Sequence, residues 1–329
     1  MKRRAFIRLL GSAATVWPLA AIAQQRMHIV GALMGVAERD PEAKAWVSAF
    51  QSGLRERGWI GGQNVQIIYR WPAGDTAVMM SQAQELVSLQ PDVILTHASP
   101  ATAAVRKATT SIPNVFVVVS DPVGSGFVSS FPRPNGNSTG FTNFASTIGG
   151  KWLELLKEIK PQLKRVAMLF NPDTTPAGAR GIHLLSIQEA APSVNITAIA
   201  SPFGNAVDIE HAFTEIAGDQ SGLIVIPDTS TTLHSRLIVE LAARHQTPAI
   251  YPYRDFVALG GLLSYGVDRA DLYRRAALYI DRILNGEKPA NLPVQSPTKY
   301  EMAVNLKAAR ELGLSIPQTL LGTADEVIE

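Results

Sequence analysis

The sequence predicts an α/β protein of two lobes of similar size, each a parallel sheet covered by helices on both faces. Three observations predict it. Short apolar runs rich in β-branched residues, such as Asn114–Ser120 (NVFVVVS) and Gly222–Ile226 (GLIVI), alternate with longer amphipathic or alanine-rich segments. The alternation runs through both halves of the chain, and a βαβα order implies parallel strands joined by helices. Between the halves lies Arg133–Pro134–Asn135–Gly136–Asn137, which is dense in turn formers.

His28–Met34 (HIVGALM) reads as the first buried strand. Pro41–Arg57 is an amphipathic helix, with Ala45, Phe50 and Leu54 roughly on one face and Gly58 just past its end. Asn64–Tyr69 alternates as a second strand, and Asp75–Leu89 is the second helix. Asp92–Thr96 is a third strand that passes through His97–Ala98–Ser99 into an alanine-rich helix. Ser99 stands where an N-cap belongs, and Pro100 suits the first helical position because its missing N–H would be unpaired there. Asn114–Ser120 is the fourth strand, and Ser138–Phe144 carries the chain across. The second half repeats the scheme with a helix over Gly150–Lys160, a strand over Arg165–Phe170, a helix over Ala177–Ala191 and a strand over Val194–Ile199. A helix over Val207–Ala217, the strand Gly222–Ile226, a helix over Leu233–His245 and a strand over Pro248–Tyr251 follow. Asp255–Leu259 is a short helix and Gly261–Tyr265 a further strand. Two helices end the series, Asp271–Leu284 before Asn285–Gly286 and Met302–Leu312 before Gly313.

The first 23 residues stand apart from this scheme. Lys2, Arg3, Arg4 and Arg8 precede an apolar core, Leu9–Leu19, and Ala21–Ile22–Ala23 is a small-x-small cleavage site. This is a secretory signal peptide, too short and wrongly flanked for a membrane anchor, with cleavage expected after Ala23. Arg3–Arg4–Ala5–Phe6–Ile7 resembles a twin-arginine export signal, although a general secretory signal can also begin with arginines. The signal carries four of the 30 Lys and Arg and none of the 28 Asp and Glu, so the mature chain has 26 basic residues against 28 acidic. No basic stripe remains to suggest nucleic acid, and no later apolar run is long enough to span a membrane. Cysteine is absent, which excludes disulfides, thiolate metal sites and a cysteine nucleophile. The six histidines have no close ligand spacing, so no metal site is expected. No Gly-x-Ser-x-Gly elbow or phosphate loop is present, and Gly124–Ser125–Gly126 is too short for a dinucleotide fingerprint. No cofactor and no catalytic residue are therefore expected.

In such sheets ligands bind outside the carboxyl ends of the strands. The candidates are the residues at those ends. Met34 and Gly35 follow the first strand. His97, Ser99, Ala101 and Thr102 lie where the third strand meets its helix, whose free N–H groups and positive dipole end suit a carboxylate. Ser120 and Asp121 end the fourth strand. Asn171 ends a strand of the second half, although Asn-Pro is also a plain turn signal. Asp228 and Thr229 end another; Asp228 offers a carboxylate to an ammonium, or an Asx turn over Thr229–Ser230. Tyr251, Tyr253 and Tyr265 offer flat walls with polar tips, or only core edges. His97 can touch a ligand or sit as a satisfied buried histidine.

At this point the chain resembles a known family. Phe50–Gln51–Ser52–Gly53–Leu54 with Gly58, Gly62–Gln63–Asn64–Val65, Pro91–Asp92–Val93–Ile94 and Ala98–Ser99–Pro100–Ala101 carry the likeness. Asp121–Pro122–Val123, Gly126–Phe127–Val128 and Asn137–Ser138–Thr139–Gly140–Phe141 continue it. Later come Gly260–Gly261–Leu262–Leu263–Ser264–Tyr265–Gly266, Gly286–Glu287–Lys288–Pro289–Ala290 with Leu292–Pro293, and Val304–Asn305 with Leu312–Gly313–Leu314. Their order is similar to that of periplasmic substrate-binding proteins of ABC transporters with the type I periplasmic-binding fold. The branch is the one holding tryptophan-type binding proteins and many rhizobial paralogues. The resemblance implies two Rossmann-like lobes joined by a three-segment hinge that closes on a small molecule. Residues 24–142 plus 267–292 would form the N-terminal lobe and residues 143–266 plus 293–329 the C-terminal lobe, with crossings near Thr142, Gly266 and Pro293. It also implies a periplasmic protein that delivers an amino acid or another small, even aromatic, carboxylate to an inner-membrane ABC permease, with no nucleic-acid partner and no insertion into the membrane. A periplasmic sensor for a membrane receptor is the alternative within binding proteins, and an exported α/β hydrolase the alternative outside them.

Overall fold

The computed structural model describes residues 26–329, so the expected signal peptide and its cleavage site lie outside the described residues. Two sheets organise the chain, one per lobe. In the first lobe β1 (His28–Leu33), β2 (Val65–Arg70), β3 (Val93–His97), β4 (Asn114–Val119) and β5 (Ser138–Thr142) stand in the order β2-β1-β3-β4-β5, all parallel. β3 and β4 are buried along their whole length, as central strands of a covered parallel sheet must be. Helix α1 (Pro41–Arg55) is capped by Asp40, and α2 (Thr76–Ser88) by Asp75, whose carboxylate accepts from the Ala77 and Val78 N–H groups. α2 and α3 (Ala98–Ala108) cover one face of the sheet through Met79, Ala83, Leu86, Ala101 and Val105.

The second lobe contributes α4 (Ile148–Ile159), β6 (Arg165–Phe170), α5 (Ile182–Ala190), β7 (Thr197–Pro202), α6 (Ala206–Ile216) and β8 (Ser221–Val225). α7 (Thr229–Leu233), α8 (Ser235–Arg244), β9 (Ala249–Tyr251), α9 (Arg254–Ala258) and β10 (Leu263–Gly266) follow. After α10 (Arg269–Leu284), the chain adds β11 (Glu301–Asn305), α11 (Leu306–Glu311), α12 (Gln318–Leu321) and β12 (Glu326–Ile328). The sheet order is β12-β11-β10-β9-β8-β6-β7, parallel apart from the antiparallel β10–β11 pair. The βα alternation and the two lobes match the expectation.

Several elements differ from it. The expected last helix over Met302–Leu312 is a strand followed by a short helix. Residues 301–305 pair with β10, and that long-range ladder overrides a sequence of helix formers. A short helix, α7, precedes the expected helix that began at Leu233, and α5 begins only at Ile182, after a 3₁₀ turn over Gly178–Arg180.

After β5 the chain enters the elements of the second sheet, and after β10 it forms α10, which packs along α1 on the open face of the first sheet. Gln295 still bonds to β5: its N–H donates to the Gly140 carbonyl at 2.9 Å, and its carbonyl accepts from the Thr142 N–H at 2.9 Å.

β4 carries one irregularity. Val117 pairs with Phe141 and Val119 with Thr142, which leaves Val118 as an extra, bulged residue with φ 62°. A β-branched residue in this left-handed region is strained.

Candidate ligand-binding site

A narrow cleft lies between the lobes. Val36, His97, Ala98, Ser99, Pro100, Val118, Ser120 and Arg269 line it from the first lobe. Thr174, Pro176, Pro227, Asp228, Thr229, Thr232 and Tyr253 line it from the second, and Asn143 from the crossing between them. The cleft thus lies off the carboxyl ends of β3, β4, β8 and β9, where the alternation of strands and helices placed it.

Ser99 reaches this wall, but not as an N-cap. α3 begins at Ala98, itself at φ 66°, and His97 occupies the cap position with no side-chain hydrogen bond. The first N–H groups of α3 are thus left without a side-chain acceptor at the edge of the cleft. Ala101 and Thr102 sit behind them. Thr102 Oγ1 donates to the Ala98 carbonyl at 2.9 Å and lies 2.9 Å from Thr96 Oγ1, so both residues belong to the core and not to the cleft wall. His97 is buried, stacks on Trp46 at 4.9 Å, and shares a 2.8 Å hydrogen bond between Nδ1 and the Tyr273 hydroxyl. Burial first, and the Arg269 charge second, lower its pKa to about 3, so it stays neutral. Met34 is buried beneath, 3.8 Å from the same hydroxyl, and Gly35 packs against His97, where a Cβ would come within 3.2 Å of the ring. Neither lines the cleft.

Ser120 lines the cleft as expected. Asp121 turns away, because its carboxylate accepts the Gly124 N–H at 2.7 Å and closes a turn. Asp228 lines the cleft, but its oxygens are occupied. Oδ1 accepts from the Thr231 N–H at 2.7 Å and Thr174 Oγ1 at 3.1 Å; Oδ2 accepts from the Asn171 N–H at 3.1 Å and Thr175 Oγ1 at 2.9 Å. A carboxylate has about four acceptor positions, and these four bonds cap α7 and tie down the Asn171–Thr175 loop. Burial raises its pKa against the pull of these bonds. Asn171 is the start of that loop: its Oδ1 accepts from the Asp173 and Thr174 N–H groups in an Asx turn, away from the cleft wall. Thr229 lines the cleft, and its buried Oγ1 has no partner among the described residues.

Of the three tyrosines only Tyr253 reaches the cleft. Tyr251 stacks on Phe256 at 5.1 Å and borders a separate hollow within the second lobe. Tyr265 stacks on Tyr300 at 5.4 Å. Position at a strand end did not reveal which face each ring takes.

Two residues escaped the sequence. Arg269, in the first turn of α10, is buried with its guanidinium between Trp46 (4.5 Å) and Tyr253 (4.1 Å). It donates to Asp255 Oδ1 at 2.8 Å and lies 3.6 Å from Glu42. Burial opposes its charge, and the two carboxylates with Tyr253 outweigh burial, so the cation persists across the lobe boundary. Asn143 is 1% exposed; its Nδ2 donates to Ser120 Oγ at 3.0 Å and to the Tyr253 hydroxyl at 3.2 Å. Its Oδ1 is buried with no partner among the described residues. The signal available for Asn143 was its place one residue beyond the expected crossing at Thr142.

The family model for ABC transporter substrate binding proteins matches residues 36–328. The chain belongs to this family. Members bind small-molecule ligands and deliver them to membrane permeases. This substrate-binding protein is similar to a tyrosine-binding protein of Clostridioides difficile (strain R20291), with 25% identity over 265 residues, 80% of this chain and 75% of that protein. Among solved structures it is similar to a conserved domain protein from Vibrio cholerae, with 26% identity, a TM-score of 0.83, and coverage of 92% of this chain and all of that one. The ABC domain from Streptococcus pneumonia in complex with L-Trp shares its fold, at 24% identity, a TM-score of 0.83 and the same coverage. Among the described residues of this substrate-binding protein no helix is long and apolar enough to cross a membrane.

Proposed function

We propose that the protein binds an α-amino acid with a free carboxylate, aromatic ones included, in the inter-lobe cleft. It releases the molecule unchanged to an inner-membrane ABC permease, and it works in the periplasm after removal of residues 1–23. One observation carries the reading: the uncapped first turn of α3 opens on a space that both lobes enclose. Free N–H groups at the positive end of a helix suit a carboxylate, and walls from two lobes suit a ligand that holds them closed. The names of the relatives point the same way, since one binds tyrosine and another was solved with L-Trp. The tyrosine-binding relative is alike over most of the chain. Ser99, Ser120, Thr229 and Tyr253 are the expected sites kept for ligand contact. The lobes would close about the three crossings.

A thermal screen of residues 24–329 against the twenty amino acids tests the reading. A ligand at a hundred times its Kd adds about 2.7 kcal/mol of stability, a rise in Tm of roughly 5 °C for a chain of this size. L-tyrosine and L-tryptophan are expected among the hits, and their carboxamides are expected to bind at least about tenfold more weakly. No shift with any amino acid, or equal binding of the carboxamides, would sink the proposal.

A further inference from the structure

We infer that Asn143 reads a hydrogen-bond donor on the ligand, its α-ammonium, and that the bulge at Val118 holds Asn143 in position to do so. This rests on the amino-acid reading above and names the group that the cleft checks. Both protons of the Asn143 amide are used, one on Ser120 and one on Tyr253, while its oxygen lies buried at the cleft with no donor among the described residues. A buried acceptor left unpaired is costly, and such atoms in a native fold are rare. A donor supplied by the ligand satisfies it. Across the cleft the Thr229 hydroxyl is also buried, with no partner among the described residues, a second polar atom open to a ligand.

The Ser120 contact depends on the bulge. Val115 and Val117 face the main core, and Phe116 faces the opposite cluster with Val119. Strict alternation from Val117 would turn Val118 to the Phe116 side, Val119 to the main core and Ser120 to the Phe116 side again. The extra residue keeps Val118 on the side of Val117 and restores the phase one residue late. Ser120 thereby faces the side of Val117, where it meets Asn143. Strain at φ 62° on a β-branched residue is retained beside a ligand site, the setting in which such strain serves function.

The test titrates L-tyrosine and L-tryptophan against 3-(4-hydroxyphenyl)propionate and 3-(indol-3-yl)propionate, which lack the amino group. The wild type is expected to prefer each amino acid by at least about a hundredfold. Asn143→Leu lowers that preference by about tenfold or more, weakening the amino acids more than the propionates. Ser120→Ala lowers it several-fold and Ser120→Thr restores it. Deletion of Val118 acts as Asn143→Leu does; if that chain does not fold, the Asn143 and Ser120 variants decide. An equal loss for both ligand types, or a preference unchanged in Asn143→Leu, overturns the inference. A wild type that binds amino acids and propionates alike also overturns it and leaves the amino-acid reading standing. A wild type that binds no amino acid overturns both.

Discussion

Acid should weaken this protein through two histidines that the fold keeps from protonating. His183, in the first turn of α5, is 2% exposed, and neither ring nitrogen has a partner among the described residues. It packs edge-on against Phe144 and Trp152, at 5.7 Å and 5.9 Å. Burial lowers its pKa from 6.5 to about 4, and burial with Arg269 lowers that of His97 to about 3. Below pH 6.5 the unfolded chain takes up protons that the folded chain refuses. The stability each neutral ring secures is thus complete above pH 6.5 and drains away as pH falls toward the folded value. Each group contributes a slope approaching 1.4 kcal/mol per pH unit, so the pair removes roughly 2 kcal/mol between pH 6 and pH 5. His183→Leu preserves the volume and removes one of the two sites. It should raise stability at pH 7 by about 1–3 kcal/mol, because two unpaired nitrogens leave the core, and the gap to the wild type should widen by about 1 kcal/mol from pH 6 to pH 5. Urea unfolding followed by circular dichroism at pH 7, 6 and 5, with a constant m value, measures both quantities. A gap between the two proteins that does not change with pH would refute the assignment of His183 as a neutral buried base.

Three further outcomes follow from the packing. Gly74 has φ 82°, and a Cβ there would sit 2.2 Å from Leu233 Cδ1 on the opposite lobe; Gly74→Val should cut ligand affinity by about tenfold, and Leu233→Ala should restore part of it, read by titration calorimetry. Asp228→Asn sets an amide donor against one backbone N–H and leaves it without an acceptor, which should lower Tm by roughly 5 °C, so an unchanged melt would show that the loop does not depend on this carboxylate. Gly53 lets α1 approach α10 so closely that a Cβ would lie 2.8 Å from the Arg274 carbonyl; Gly53→Ala should destabilise by about 1–3 kcal/mol, measured by urea unfolding.

The sequence announces what local chemistry decides. Val93–His97 and Asn114–Val119 read as buried strands because nearly every residue is apolar or β-branched, and Asp75 reads as a cap because its carboxylate serves its own neighbours. β11 does not read as a strand. Its partner is β10, nearly forty residues earlier, and Leu306–Glu311 beyond it makes one continuous helical pattern with it. The site divides in the same way. Ser120, Asp228, Thr229 and Tyr253 were visible as strand ends. The saturation of Asp228 was not, since three of its four donors come from a loop more than fifty residues away. Arg269 entered the cleft because α10 returns to the first lobe, which only the tertiary path reveals.

That return has a consequence for folding. By Thr142 all five strands of the first sheet have been made, yet α10, which covers the face beside α1, comes only at Arg269–Leu284. Trp59 Nε1 donates to Asp281 at 2.9 Å, and Thr139 Oγ1 to the Leu292 carbonyl at 2.6 Å, so the early segments wait for late ones to satisfy them. A chain that has emerged only as far as β10 holds a sheet with one apolar face only partly covered, by α1, and a second sheet lacking β11 and β12. Neither lobe is a unit that can finish alone. Assembly is expected to be a late event involving nearly the whole chain, and unfolding a single transition in which both lobes are lost together.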